Sequence, residues 1–101
     1  PVLVFDEVDA NVGGEMGNAI GKKLRTLADA RQVVCITHLP QVAARGTTHF
    51  AVRKHVRDQR TVSQVDKLDK DQRVEEIARM LGGRDVTSAV LTHARELIAA
   101  R

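Results

Sequence analysis

The stretch Val2-Leu3-Val4-Phe5-Asp6-Glu7 decides the fold that we predict, because four apolar residues run directly into two adjacent carboxylates. An unbroken apolar run of this length is typical of a strand that is buried on both faces, as in a parallel sheet. Strands of open α/β sheets carry ligand-binding residues at their carboxyl ends. Two neighbouring carboxylates at such an end cost free energy of desolvation unless a cation pairs with them or a reaction uses them. We therefore expect a functional site at Asp6 and Glu7.

An apolar strand that ends in two acids is the pattern of a Walker B motif. In this pattern Asp6 would hold Mg²⁺, mostly through water, because Mg²⁺ prefers oxygen ligands and keeps several of its waters. Glu7 would act as the general base, or orient the attacking water, in phosphoryl transfer. The alternative is a strand end whose acids are simply solvated.

The composition is typical of one small soluble domain. The chain has 101 residues, of which 43% are hydrophobic and 29% charged. Aromatic residues make up only 2%, which argues against a platform that stacks single-stranded bases. The one cysteine, Cys35, excludes a disulfide framework within the chain and favours a reducing, cytoplasmic setting. No apolar stretch approaches the roughly 20 residues of a membrane helix, so we expect no membrane partner.

The positive charge is concentrated in residues 45–73. The chain has a net charge of +3, and this segment holds eight basic and four acidic residues. Such a segment can contact DNA phosphates, since those contacts need only positive charge. A solvated hairpin explains the same residues equally well. The basic residues are Arg45, Arg53, Lys54, Arg57, Arg60, Lys67, Lys70 and Arg73.

A strand, a helix and a second strand follow one another in the first 37 residues. The spacing of apolar residues predicts a helix from about Glu15 to Ala30, and a buried strand over Gln32–Thr37. This βαβ unit should have a right-handed crossover and parallel strands. The carboxyl end of the second strand would then bring His38 to the same edge as Asp6 and Glu7, where His38 could donate a hydrogen bond to a γ-phosphate. The predicted core residues of the helix are Met16, Ala19, Ile20, Leu24, Leu27 and Ala28.

The rest of the chain predicts a hairpin and three helices. Pro40 suits the start of a short helix, and Gly46 suits its end. Residues 49–56 and 61–68 read as antiparallel strands around a turn at Asp58-Gln59. Asp69 or Asp71 would cap a helix that runs to about Leu81, and Thr87 or Ser88 would begin a final helix that runs to about Ala100. The predicted fold class is α/β.

Three segments resemble the RecN family, which comprises bacterial SMC-like proteins of DNA double-strand break repair. They are Val2–Gly14, Thr37–Ala44 and Arg73–Gly83. The Walker B pattern alone indicates only an ABC-type or SMC-type ATPase. The stretch Thr37-His38-Leu39-Pro40-Gln41-Val42 and the ending Met80-Leu81-Gly82-Gly83 narrow the resemblance to the carboxyl-terminal lobe of the RecN ATPase head.

The resemblance implies a role for each matching position. Asp6 matches the Mg²⁺-linked acid, and Glu7 matches the catalytic carboxylate. Asp9 matches the acid of the D-loop, which works near the partner subunit of an ATP-bound dimer. His38 matches the switch histidine. Asn11 departs from the family pattern, which has glycine there, although asparagine also tolerates left-handed backbone angles.

The resemblance also implies what must join this chain. The implied fold is a partial P-loop NTPase of the ABC/SMC type, and the implied cofactors are ATP and Mg²⁺. The implied partners are the amino-terminal lobe of the same head, a second head in an ATP-bound homodimer, and DNA in the nucleoid. Residues 1–101 contain no Walker A loop, signature motif or coiled coil. We therefore expect this stretch to be a fragment that alone neither binds ATP tightly nor hydrolyses it.

Two other functions fit the same residues. The chain could be a non-catalytic module that binds DNA or protein through the hairpin of residues 48–68. It could also be a head lobe of another ABC-type or SMC-like ATPase.

Overall fold

The computed structural model describes residues 2–6 and 14–100 of the chain, without the side chains of Val2 and Asp6. It has the predicted order of elements and a mixed α/β architecture with two separate two-stranded sheets. The elements are β1 (Val2–Asp6), α1 (Gly14–Ala28), β2 (Gln32–Ile36), α2 (Pro40–Ala43), β3 (Phe50–Arg57), β4 (Arg60–Lys67), α3 (Lys70–Gly82) and α4 (Ser88–Ala99). Predicted site residues Glu7 and Asp9, with Asn11, lie outside the described residues.

The first sheet is the predicted parallel pair. Strands β1 and β2 are aligned so that Val4 lies opposite Val34 and Asp6 opposite Ile36. Helix α1 crosses between them and ends at Ala28, earlier than the predicted Ala30, because a turn closes its last residues.

The buried stripe of α1 differs from the prediction at three positions. Leu24 is buried as expected, but Met16, Ala19 and Ala28 are exposed, so their assignment to the core is wrong. The stripe runs instead through Gly17, Gly21 and Leu24, at the spacing of one helix face. A Cβ atom added at Gly21 would lie 2.9 Å from Cγ of Arg45 and 3.0 Å from the carbonyl oxygen of Gln41. The missing side chains let α2 approach α1 closely.

The described core lies between α2, α3 and α4. Its fully buried members are Ala44, Ile77, Ala78 and Ala94. Helix α3 begins with a capping box, in which the Asp69 carboxylate accepts from the N–H of Gln72 at 2.8 Å. Helix α4 begins at the predicted cap Thr87, whose hydroxyl accepts from the N–H of Val90 at 3.2 Å. These caps satisfy backbone donors that the helices leave free.

The second sheet is the predicted hairpin of β3 and β4. Its turn consists of Asp58 and Gln59, with φ angles of 51° and 63°. Two successive positive φ values are typical of the two-residue type I′ turn, whose twist matches that of the flanking strands. The turn sets the register, in which Val52 lies opposite Val65 and Arg57 opposite Arg60.

Candidate functional site

The strand register brings the predicted site segments to one edge of the first sheet. Asp6 is the last residue of β1 and is paired with Ile36, the last residue of β2. The next residues along the chain are Thr37 and His38. Since parallel strands carry their ligand-binding residues at their carboxyl ends, this edge is the candidate functional site. We call it the rim. The structure thus brings together the backbone of Asp6 and the segment of His38.

A side-chain-to-backbone hydrogen bond shapes the turn that carries His38. The hydroxyl oxygen of Thr37 accepts from the N–H of Leu39 at 3.0 Å, which closes a tight turn around the histidine. Leu39 is extended, with φ −96° and ψ 126°, as expected for a residue before proline. Pro40 then begins α2. The imidazole of His38 is exposed at the rim, where a ligand can reach it.

Helix α2 follows His38 so closely that its position decides where the histidine lies. The helix has only four residues, and Pro40 and Val42 are buried. On one side it packs against Gly17 and Gly21 of α1. A Cβ atom at Gly17 would lie 3.0 Å from Cδ1 of Leu39, so the segment after His38 is in close contact with α1.

On its other side α2 is bound to α3 by Arg73. The Nη2 group of Arg73 donates to the carbonyl oxygens of Ala43 at 3.0 Å and Ala44 at 3.1 Å, and also to that of Gly46. Only 7% of Arg73 is exposed, and it is the one charged residue that is buried in the described part of the chain. Arg73 is therefore not available to a DNA phosphate. The inclusion of Arg73 in a DNA-contacting segment is wrong.

The charge of Arg73 also affects a histidine at the base of the hairpin. Burial lowers the pKa of His49 below its ordinary value of 6.5, the positive charge of Arg73 lowers it further, and Glu76 partly opposes the shift. Glu76 is held ionised by Arg79, whose guanidinium donates to its carboxylate and lowers the pKa of Glu76. His49 is therefore neutral near pH 7, so Arg73 is the cation at this junction.

One face of the first sheet is apolar and uncovered. The exposed fractions are 65% for Val4, 44% for Val34 and 52% for Ile36. Strand alternation places these residues on the same face, opposite the half-buried Leu3, Phe5, Val33 and Cys35. Within this chain one face is therefore half-buried and the other is exposed, so the predicted burial of both faces is met only in part. An apolar sheet face beside a candidate site is a surface that another polypeptide would cover.

The hairpin has two chemically different faces. The register places Phe50, Val52, Val56 and Val65 on one face, together with Lys54 and Lys67, and all of these are exposed. We call it the apolar face. The opposite face, which we call the basic face, carries Arg53, His55, Arg57 and Arg60 toward the turn, and it also carries Val62 and Asp66. The sequence predicted the grouping of Phe50, Val52 and Val56, which is confirmed.

The described residues do not form a metal site by themselves. Among residues 2–6 and 14–100, no group of three or more His, Cys, Asp or Glu side chains could hold a metal ion. In the same ranges no helix is long and apolar enough to cross a membrane.

Comparisons with known proteins identify the family. The chain is 54% identical over 99 residues to the DNA repair protein RecN of Deinococcus radiodurans, covering 98% of this chain. It is 45% identical over 100 residues to RecN of Vibrio cholerae, and 45% identical over 96 residues to RecN of Bacillus subtilis. By sequence, this chain belongs to the RecN family. No family model matches the chain.

The chain spans only a small part of these relatives. It covers 17% of the Deinococcus and Bacillus proteins and 18% of the Vibrio protein. A solved structure from a study of the ATP-driven dimerization and DNA-stimulated activation of SMC ATPases matches with a TM-score of 0.67 and 19% identity. The match covers 84% of this chain and 50% of that chain. It confirms the predicted fold, a partial P-loop NTPase of the SMC type.

Proposed function

We propose that this chain is the carboxyl-terminal part of an ATP-binding and ATP-hydrolysing head of a RecN-like DNA repair ATPase. The observation that carries the proposal is the rim. Two parallel strands in register end at Asp6 and at Ile36, and Thr37 and His38 follow the second strand directly. The fold match to an SMC ATPase and the family membership support the same conclusion.

The chemistry of the rim residues suits phosphoryl transfer. The carboxylate of Asp6 offers a hard oxygen donor, which fits Mg²⁺ when nucleotide phosphates and water supply the other ligands. A Mg²⁺ ion held there would neutralise charge on the β- and γ-phosphates. Glu7 would orient the attacking water and accept its proton. His38, exposed at the rim, would donate a hydrogen bond to the γ-phosphate. Asp9 would act at the boundary with a second head.

The site would be completed by the amino-terminal lobe of the same head. The uncovered face of Val4, Val34 and Ile36 supports this step, because it belongs to the strands that lead to the rim. A lobe that covers this face would also bring a phosphate-binding loop close to Asp6. Two such heads would then dimerise around bound ATP.

The proposal is tested by mixing the two lobes. We expect that this chain and the amino-terminal lobe of a RecN-like head are each inactive, and that their mixture releases phosphate from ATP in the presence of Mg²⁺. The physical reason is that the acids lie on one chain and the phosphate-binding loop on the other. Phosphate release is measured with equal amounts of each lobe and of the mixture. Turnover by this chain alone would refute the proposal, and so would a mixture in which the lobes associate and bind ATP without hydrolysing it.

A second function, contact with DNA through the hairpin, is favoured by the clustering of arginines beside its turn. Arg53, His55 and Arg57 alternate along one strand on the basic face, at a spacing of about 6.7 Å. Contacts with DNA phosphates need only positive charge, which the arginines of this face supply. Arg57 and Arg60 face each other beside the turn, where the hairpin is exposed. This arrangement supports a phosphate contact without base recognition.

The test compares two charge-matched pairs. In the complete protein, Arg57→Gln/Arg60→Gln is expected to weaken DNA binding. The slope of the logarithm of the binding constant against the logarithm of salt concentration should become less steep by about two. Lys54→Gln/Lys67→Gln removes the same amount of charge from the apolar face, and its slope should stay within about half a unit of the wild-type slope. Affinity is measured by fluorescence anisotropy at salt concentrations from about 50 to about 200 mM, which is a range of about fourfold. Equal losses in both pairs would exclude the basic face as the DNA site.

A further inference from the structure

Arg73 is an unusual residue for the place that it occupies. It is one of eight basic residues in a hydrophilic segment, yet only 7% of it is exposed. Burial of a guanidinium is costly unless hydrogen bonds satisfy it. Arg73 donates hydrogen bonds to three backbone carbonyls that lie 27 to 30 residues earlier in the chain. The side chain thus joins two elements that are distant in sequence.

The carbonyls that Arg73 binds belong to the end of α2 and the turn after it. The last carbonyls of a helix have no partners within the helix, and basic side chains often satisfy them. Here the helix is a single turn of four residues, so it has little stability of its own. Its position therefore depends on what holds it. The contacts that hold it are Gly17 and Gly21 of α1 on one side and, on the other, the apolar packing of Ala43 and Ala44 in the core together with the hydrogen bonds of Arg73.

The beginning of α2 is connected rigidly to His38. Only Leu39 separates the histidine from Pro40, and Leu39 donates its N–H to the hydroxyl of Thr37. The ring of Pro40 fixes φ at the first helical position. A displacement of α2 would therefore be transmitted to His38. A positional error of about 1 Å at a reacting group can cost about 100-fold in rate.

We propose that Arg73 is a positioning residue that holds α2 against α3 and thereby sets the place of His38 at the rim. The inference rests on the proposed function, in which His38 contacts the γ-phosphate. Arg73 touches neither nucleotide nor metal. Its effect on hydrolysis passes through α2 and His38.

The first test replaces Arg73 in the complete protein. Arg73→Met removes all three hydrogen bonds and is expected to lower kcat about tenfold, with KM for ATP changed less than about threefold. Arg73→Lys keeps a charged donor and should recover part of the lost kcat. Leu97→Ala truncates a core side chain of α4 and serves as the control for lost stability. It should lower the melting temperature while kcat, measured below that temperature, stays at the wild-type value.

A double-mutant cycle with His38 decides between positioning and general destabilisation. We expect His38→Ala to lower kcat, and Arg73→Met to have no further effect on kcat in the His38→Ala background. If Arg73→Met lowers kcat by the same factor in both backgrounds, Arg73 does not act through His38 and the inference is overturned. If Arg73→Met does not fold, the cycle is run with Arg73→Lys, with the same two outcomes. If His38→Ala leaves kcat unchanged, the proposed role of His38 fails, and the inference falls with it.

Discussion

Glu7→Gln in the complete RecN-like protein is expected to lower ATP hydrolysis by about 100-fold or more, which is the range for loss of a general base. The amide has nearly the shape of the carboxylate, but it cannot accept a proton from the attacking water. ATP binding should persist, because the resemblance assigns the metal-linked role to Asp6 and not to Glu7. Hydrolysis is measured as phosphate release, and binding as the change in fluorescence of a labelled ATP analogue.

The control for Glu7 is another glutamate of the same chain. Glu96 lies exposed on α4, which packs against α3. Glu96→Gln should leave both hydrolysis and binding at wild-type levels. If Glu7→Gln hydrolyses ATP at the wild-type rate while binding is intact, the acid pair of the rim does not perform the chemistry. The chain would then be better explained as a binding module.

The pair Val34→Asp/Ile36→Asp is expected to weaken association with the amino-terminal lobe by about 100-fold or more. Each apolar side chain that leaves water on binding contributes about 1.5–3 kcal/mol, and every 1.4 kcal/mol is about tenfold in Kd. An unpaired carboxylate buried in the interface adds a further cost. Because Val34 and Ile36 are 44% and 52% exposed in this chain, the substitutions should disturb its own fold much less.

The measurement is titration calorimetry of the two lobes. A matched control adds two carboxylates to the exposed surface of α4, with Thr92→Asp/His93→Asp. The control should bind the amino-terminal lobe with wild-type affinity, and circular dichroism should show the same helix content for both variants. Unchanged Kd for Val34→Asp/Ile36→Asp would mean that the amino-terminal lobe does not cover this face of the sheet.

Local sequence patterns predicted the elements and much of the site. The first strand, the second strand to within one residue of its predicted end at Thr37, and the turn at Asp58-Gln59 follow from residues that are neighbours in the chain. The caps Asp69 and Thr87 are each one of the two predicted alternatives. The roles of Glu7 and Asp9 stay predictions, because both lie outside the described residues. The place of His38 just after the end of β2 is confirmed. It could be predicted because two parallel strands have their carboxyl ends at the same edge of the sheet.

Other features could not be read from local patterns. Met16 fits the apolar periodicity of α1, yet it is exposed, because α2 packs over the stripe of Gly17 and Gly21 instead. Periodicity records which residues are apolar, and it does not record where a partner helix needs space for close approach. Two glycines four residues apart on one helix face were the available signal.

Sequence by itself determined the secondary structure, the parallel pairing of β1 with β2, the two faces of the hairpin and the membership of the RecN family. The secondary structure and the faces of the hairpin depend on residues close in the chain or on the alternation of side chains along a strand. The parallel pairing follows because a helix connects two successive apolar strands, and the family follows from similarity along the sequence. Only the tertiary structure decided that Arg73 is buried against the carbonyls of Ala43 and Ala44, and that Val34 and Ile36 stay exposed. Whether a basic or apolar side chain meets solvent depends on which distant elements pack around it, and no local pattern specifies that packing.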